Sequence, residues 1–333
     1  MKRYIFFRTD RIGDFLLSAI LIKSIKRNDN KAHITVIASE LNYKYIKTLS
    51  FIDEVILYPT NFINKLIFFY KLTKNKSYLT VVLDGKKRSI YGSIASRSKI
   101  KILLTTKILY KNLFKLFFNK IYHKYNHSNK LDEIKSILKI LNFSFSEVDL
   151  NLFDNENFND ENFDFINDLK SEPILFHFDE KWINGSYINK FKNIQPDSLD
   201  ALNSFLIKII NSKNKDIIIT TGINTNNFLD KFKESFNNLN QNIYKRQDAN
   251  NSIFLITDTS FLQLKYLISK SSTIISCHGA VTHVSNAMNK FIIDIYDRSE
   301  ESFYKRWNSH FRNYKYIYRK DFKNLSNDIL KLL

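Results

Sequence analysis

The chain has 333 residues, 51 of them Lys or Arg against 33 Asp or Glu, for a formal net charge of +18. At roughly 100 to 200 residues per domain this length suggests two domains, and 44% hydrophobic with 15% aromatic residues excludes wholesale disorder. One cysteine, Cys277, excludes an internal disulfide framework and a cysteine-based zinc site, which fits a reducing compartment.

The first apolar run, Tyr4 to Phe7, is too short for a signal-peptide core, and nowhere do enough apolar residues run together to span a bilayer. A cytoplasmic chain without a transmembrane helix is expected. Tyr4–Arg8, His33–Ala38, Glu54–Leu57 and Leu79–Leu83 are β-rich, and helical patterns at Phe15–Arg27, Asn42–Leu49 and Ser89–Ser96 alternate with them. Residues 147–172 carry nine acids against Lys170 and no clean period, which reads as a seam between domains. After it the rhythm returns. Strands are expected at Ile174–Phe178, Asp216–Thr221, Ser252–Ile256, Thr273–Ser276 and Phe291–Ile295. Helices are expected at Leu199–Asn211, Asn226–Phe236, Phe261–Ser269, Val281–Met288 and Phe322–Leu332. Strand then helix, repeated, means parallel sheets covered on both faces. The expected organisation is an α/β domain over 1–150, an acidic linker over 151–172, a second α/β domain over 173–320 and a terminal helix over 321–333.

Two turns stand where an open α/β sheet gathers ligands, beyond the carboxyl ends of strands and at helix amino termini. The first is Arg8-Thr-Asp-Arg-Ile-Gly-Asp14, where Gly13 lets a ligand come close and Asp14 occupies a helix-capping place. No further glycines complete a dinucleotide fingerprint, and no Gly-Lys-Ser/Thr completes a P-loop. The second is Ser276-Cys-His-Gly-Ala-Val-Thr-His283, where the N–H groups of Gly279 and Ala280 suit a diphosphate. His278 and His283, five apart without a carboxylate, make a poor metal pair, and a buried core histidine is the plain alternative for His283.

The opening Arg8-Thr-Asp-Arg-Ile-Gly-Asp-Phe-Leu-Leu-Ser18, with Lys26-Arg27, Ala32–Val36 and Ile52–Ile56, resembles the amino-terminal pattern of the heptosyltransferase-like glycosyltransferases, family 9. His278-Gly-Ala-Val-Thr-His-Val-Ser-Asn-Ala-Met288 and Phe291–Tyr296 are similar to that family's Asp-Ser/Thr-Gly-x-x-His segment and following strand. His177-Phe-Asp-Glu-Lys-Trp182 resembles its His-Pro-Gly segment with a downstream Lys-x-Trp.

The resemblance implies a GT-B fold of two facing Rossmann-like domains. It implies inverting, metal-independent transfer of a sugar, heptose among the options, from a nucleotide sugar to a lipopolysaccharide core or other bacterial surface glycan. Nucleotide sugar and glycolipid or oligosaccharide acceptor would be the partners, with no cofactor. By position, Asp14 falls on the general base, which faces the acceptor across the interdomain cleft. Lys181, His278, Gly279, Ala280, Thr282 and His283 fall on the donor side, and Arg11, Gly13, Lys86, Lys87 and Arg88 are assigned to the acceptor side. The chain departs from the family where His278 replaces an acid and His177-Phe-Asp replaces His-Pro-Gly. His278 can itself donate to a phosphate oxygen.

Residues 61–130 hold 16 Lys/Arg against the single acid Asp84. Lys107, Lys111 and Lys115, interleaved with Leu109, Leu113, Phe114 and Leu116 to Phe118, read as one amphipathic helix suited to anionic lipid headgroups. No nucleic-acid-binding motif accompanies the charge, so nucleic acid is not expected as a partner. The alternative from another functional class is a non-catalytic α/β module docking on lipid or polyanion through this surface.

Overall fold

The structure, a computed structural model, describes residues 1–123, 129–153, 161–184, 194–222 and 227–333. The chain divides into two compact units, Met1–Glu156 and Asn157–Leu333. Residues 154–160 of the expected acidic linker, and Asn226 at the start of an expected helix, lie outside the described residues.

The amino-terminal unit runs β1 (Arg3–Phe7), α1 (Ile12–Asn28), β2 (His33–Ala38), α2 (Tyr43–Ile46), β3 (Glu54–Leu57), α3 (Phe62–Lys74), β4 (Lys76–Val82), α4 (Lys87–Ala95), β5 (Arg97–Thr105), α5 (Ile108–Leu113), β6 (Lys120–His123) and α6 (Lys130–Ile140). Its strands pair in parallel in the order β3-β2-β1-β4-β5-β6. β1 is buried along Tyr4–Phe7, as a strand covered on both faces must be. α1 is buried almost all round because its outer side is covered too: Ser24 Oγ donates to Asp149 Oδ2 at 2.7 Å and Arg27 Nε to Asp149 Oδ1 at 2.8 Å. On the other sheet face Ile5, Phe7, Val82 and Leu103 pack with Phe68 and Leu72 of α3, Ile90 of α4 and Tyr110 of α5.

The carboxyl-terminal unit runs β7 (Ile174–Phe178), α7 (Lys181–Asn184), α8 (Leu199–Lys213), β8 (Ile217–Thr221), α9 (Asn227–Lys233), β9 (Asn237–Asn240), β10 (Ile243–Asp248), β11 (Asn251–Ile256), α10 (Phe261–Lys270), β12 (Thr273–Cys277), α11 (Ala280–Ala287), β13 (Phe291–Tyr296), α12 (Glu301–Asn308), β14 (Tyr314–Tyr318) and α13 (Phe322–Leu332). The sheet order is β14-β13-β12-β7-β8-β11-β10-β9. Pairing is parallel from β14 to β11, and β10 and β9 extend that edge antiparallel. Side-chain caps bound the helices: Ser198 accepts from Ala201 N at the start of α8, and Asp321 from Asn324 N at the start of α13.

Three expectations are corrected. Asp14 is not the cap of α1: Arg11 holds that position without a side-chain cap, and Asp14 lies in the first turn. Residues 107–118 do not form one amphipathic helix, because α5 ends at Leu113 and only a 3₁₀ turn, Lys115–Phe117, follows. The second sheet is not wholly parallel, since the Asn-rich run 237–240 pairs as an edge strand despite its poor strand propensity.

Candidate functional site

Each sheet has one place where its strand order reverses, and there the loops leaving two neighbouring strands open a crevice. In the amino-terminal unit, β2 and β3 lie on one side of β1 while β4 lies on the other. The crevice is therefore walled by the loop after β1, Arg8–Arg11, and the loop after β4, Leu83–Lys86. Gly85 makes the second turn possible: its φ is +60°, and a Cβ there would stand 2.9 Å from the Leu104 carbonyl.

Asp84 ties the two loops together. Its carboxylate accepts from Thr9 N at 3.0 Å, Thr9 Oγ1 at 2.7 Å, Ser89 Oγ at 2.8 Å and Lys86 N at 3.0 Å. Lys86 Nζ and Arg88 Nη2 both donate to the Thr9 carbonyl, at 2.9 and 2.8 Å. These two cations, assigned from sequence to an acceptor, are thus also struts of the loop. Lys87 and Arg11 are exposed, and Gly13 is the second residue of α1. A cavity of about 480 Å³ opens beside them, lined among others by Thr9, Tyr58, Lys65, Lys86 and Arg88.

Arg8 is buried beneath the loop. It donates to the carbonyls of Leu83 and Asp14, and its guanidinium lies 3.6 Å from Asp14 Oδ1. Asp10 Oδ1 is 3.1 Å from Arg8 Nε, close enough for ion pairing, yet the angle leaves both atoms without a hydrogen bond. Burial, with Asp14 and Asp84 adding repulsion against the pull of Arg8 and Lys86, pushes the Asp10 carboxyl up to about 6. Asp14 is the more open of the two carboxylates, with its side chain one-third exposed against one-fifth for Asp10. Sequence reasoning assigned Asp10 no part in the chemistry; the signal available was a second acid two residues from a buried arginine.

In the carboxyl-terminal unit the order reverses at β7, which has β8 on one side and β12 on the other. The loops after β7 and β12 are the His177–Trp182 and Ser276–His283 segments, which the fold brings together. Trp182 anchors the first: it is fully buried, stacks on Phe178 at 5.0 Å and donates Nε1–H to the His177 carbonyl at 2.9 Å. Lys181, its neighbour, pairs with buried Asp179 at 2.6 Å. A Cβ on Gly279 would lie 2.6 Å from Lys181 Nζ, so the ammonium rests on the bare backbone that opens α11. Cation and helix amino terminus thus converge on one point, the arrangement that suits a phosphate.

His278 is held from behind. Its Nδ1 lies 2.7 Å from Asp294 Oδ2, and the fully buried Asp294 also accepts from Tyr314 OH at 3.0 Å. With Nδ1 donating to the carboxylate, Nε2 is the nitrogen left for a ligand. Thr282 is buried and donates Oγ1–H back to the Gly279 carbonyl at 2.8 Å, shaping the turn. His283 is buried with Nδ1 lacking a hydrogen bond, so it is not the satisfied core histidine of the plain reading. Burial and the neighbouring His278 and His310 hold its pKa well below the ordinary value, and burial pushes His177 down to about 4. Both imidazoles are therefore neutral near pH 7.

Arg319, just past β14, was missed from sequence. Its Nη2 donates to the Lys181 carbonyl at 2.6 Å and Nη1 lies 3.5 Å from Cys277 Sγ, so it braces both loops from below. A basic residue ending a Tyr-x-Tyr-x-Tyr strand carries no local signal for that role.

A sequence model of the family described as Glycosyltransferase family 9 (heptosyltransferase) matches residues 216–328. The heptosyltransferase WaaC of E. coli, solved with ADP, superposes with a TM-score of 0.69 at 12% identity, covering 99% of this chain and 98% of that one. A family 9 glycosyl transferase from Veillonella parvula DSM 2008 gives 0.66 at 16% identity, over 99% of this chain and 91% of that one. Among curated proteins, autophagy-related protein 11 of Vanderwaltozyma polyspora is 26% identical over 211 residues, 62% of this chain and 16% of its own length. The chain spans about a sixth of that relative, which establishes no shared family. The resemblance to family 9 is borne out over residues 216–328, and the GT-B fold class drawn from the sequence is borne out by the solved structures.

Proposed function

We propose that the chain transfers a sugar from a nucleotide-sugar donor to a hydroxyl of a lipopolysaccharide core or related bacterial surface glycan, on the cytoplasmic side, with inversion. The observation that carries this reading is the convergence of Lys181 on Gly279 at the start of α11. As the bond from the anomeric carbon to the diphosphate oxygen breaks, the electron pair leaves on that oxygen, and a cation beside a helix amino terminus stabilises it. His278, oriented by Asp294, offers Nε2 to the donor at the place where the family pattern has an acid. That substitution leaves the sugar open, with ADP-heptose the first candidate because WaaC is a heptosyltransferase solved with ADP.

In the amino-terminal unit Asp14 takes the acceptor proton as the new carbon–oxygen bond forms. Asp14 is exposed enough to meet a hydroxyl, and Arg8 fixes the turn that carries it. Lys86 and Arg88 beside the 480 Å³ cavity suit anionic groups on the acceptor. Turnover needs no metal in this scheme, because Lys181 and the amino terminus of α11 neutralise the leaving group, and it should survive EDTA.

The test is thermal unfolding with a panel of ADP-, UDP-, GDP- and CMP-sugars. A ligand at 100 times its Kd adds about 2.7 kcal/mol, so the true donor should raise Tm by several degrees. No shift with any nucleotide sugar would remove the donor site, and activity lost to EDTA and restored by Mg²⁺ would remove the metal-free scheme.

A further inference from the structure

The helix α3 is turned the wrong way for an ordinary surface helix. Of its thirteen residues only Phe68 and Leu72 are buried on the sheet, while Phe62, Ile63, Leu66, Ile67 and Tyr70 are exposed, Phe62 by 72% and Ile63 by 70%. A soluble helix keeps its apolar stripe on the core and its polar side outward. Here apolar residues point outward with Lys65, Lys71 and Lys74 set among them.

A second segment of the same composition lies on the same sheet face. Ile108, Leu109 and Leu113 of α5, with Leu116 and Phe117 of the turn after it, are exposed, Leu116 by 95%. Lys107, Lys111 and Lys115 are interleaved with them. α4 lies between the two, packed in the same core, and shows Tyr91 outward. Exposed apolar side chains gathered in this number on one sheet face mark an interaction site. Its chemistry selects the partner: the cores of protein interfaces are depleted in lysine, whereas aromatic and aliphatic tips set among lysines are the composition of helices lying in a bilayer interface. No acid lies on α3, α4 or α5. That absence matches the negative headgroups of an anionic leaflet.

We propose that the outward side of α3, α4, α5 and the Lys115–Phe117 turn is a membrane-docking face, seated on an anionic bilayer with its apolar tips among the acyl chains and its lysines at the headgroups. The basic stretch read from sequence as one helix at 107–118 acts through two separated segments, the larger of which the sequence did not reveal. The face continues into the acceptor side of the amino-terminal unit, because Lys65 of α3 also lines the cavity with Lys86 and Arg88. Only this last link rests on the proposed function. Membrane binding itself does not.

The experiment is co-sedimentation of the full chain with vesicles of phosphatidylcholine alone and of equal parts phosphatidylcholine and phosphatidylglycerol. Binding to the mixed vesicles and not to the neutral ones is expected. Ile63→Glu with Leu66→Glu should weaken it about tenfold or more, as should Leu116→Glu, by placing acids where apolar tips enter the interface. All three side chains are exposed, so the variants should keep the native unfolding midpoint. Equal binding by native chain and variants, or none to anionic vesicles, overturns the proposal. So does a native dimer in gel filtration that the same variants convert to monomer, which would make a second copy the occupant. A missing nucleotide-sugar shift alongside intact vesicle binding would overturn the transfer reading and leave the docking face standing.

Discussion

The two crevices use the same strand–turn–helix device with opposite charge order. In the amino-terminal unit a buried cation, Arg8, lies beneath, and the carboxylates Asp10 and Asp14 stand over it. In the carboxyl-terminal unit buried carboxylates, Asp179 and Asp294, lie beneath, and Lys181 and His278 stand over them. A buried counter-charge orients its partner and leaves the exposed group to define the chemistry. In the proposed reaction one crevice accepts a proton and the other receives an anion.

The largest effect should come from Asp14→Asn. If Asp14 is the base, kcat falls by about 10² to 10⁴ while donor Kd stays within a factor of about two, read by steady-state kinetics and nucleotide titration. A full-rate Asp14→Asn enzyme would pass the role to Asp10 and abolish the contrast between the two crevices. On the other side, Lys181→Ala and Ala280→Asp should each weaken donor binding by about 10 to 100-fold in calorimetric titration. Ala280→Asp is informative because an acid in the first turn of α11 suits the helix and repels only the ligand.

The opposed charges also predict opposed pH responses. His177, held down at about 4, and His310, held down at about 3, are neutral when folded and take up protons when unfolded. Their depressed pKa values give stability that is present above the unfolded value near 6.5 and lost as pH falls toward the folded values. Between pH 7 and pH 5 each should cost the carboxyl-terminal unit about 2 kcal/mol. Asp10, raised to about 6, has the reverse sign: its contribution is greatest below about pH 4 and is lost as pH rises through 6. Hydrogen exchange corrected for intrinsic rate, read separately in the two sheets, should show the second losing protection on acidification. The smallest effect is in the first sheet, where Asp10→Asn should remove about 1 kcal/mol of acid-side gain. Parallel losses in both sheets would contradict the assignment.

The sequence showed the alternation of strands and helices because buried parallel strands such as Ile217–Thr221 are continuous apolar runs that no surface helix imitates. It failed where apolar residues do not mean burial. α3 was passed over because its apolar residues surround the helix and give no clean stripe, and the reason is that they face outward. Lys181, Gly279 and His278 were legible through motif spacing. Their supports Asp294 and Arg319 were not, because each acts across strands adjacent in the sheet and distant in the chain, as Asp294 does across sixteen residues to His278.

Cys277 gives the carboxyl-terminal crevice a built-in clock. The thiol is 1% exposed, and burial with the neighbouring Asp179 pushes it up to about 12, so the folded protein should shield it from alkylating and oxidising reagents. It closes β12, directly before the turn that carries His278 and Gly279, under the Arg319 brace. Any modification therefore timestamps an excursion in which that strand end has come away from its neighbours. The rate of labelling in the unaltered protein counts these excursions without an added probe, and a nucleotide sugar seated on the turn should lengthen the interval between them.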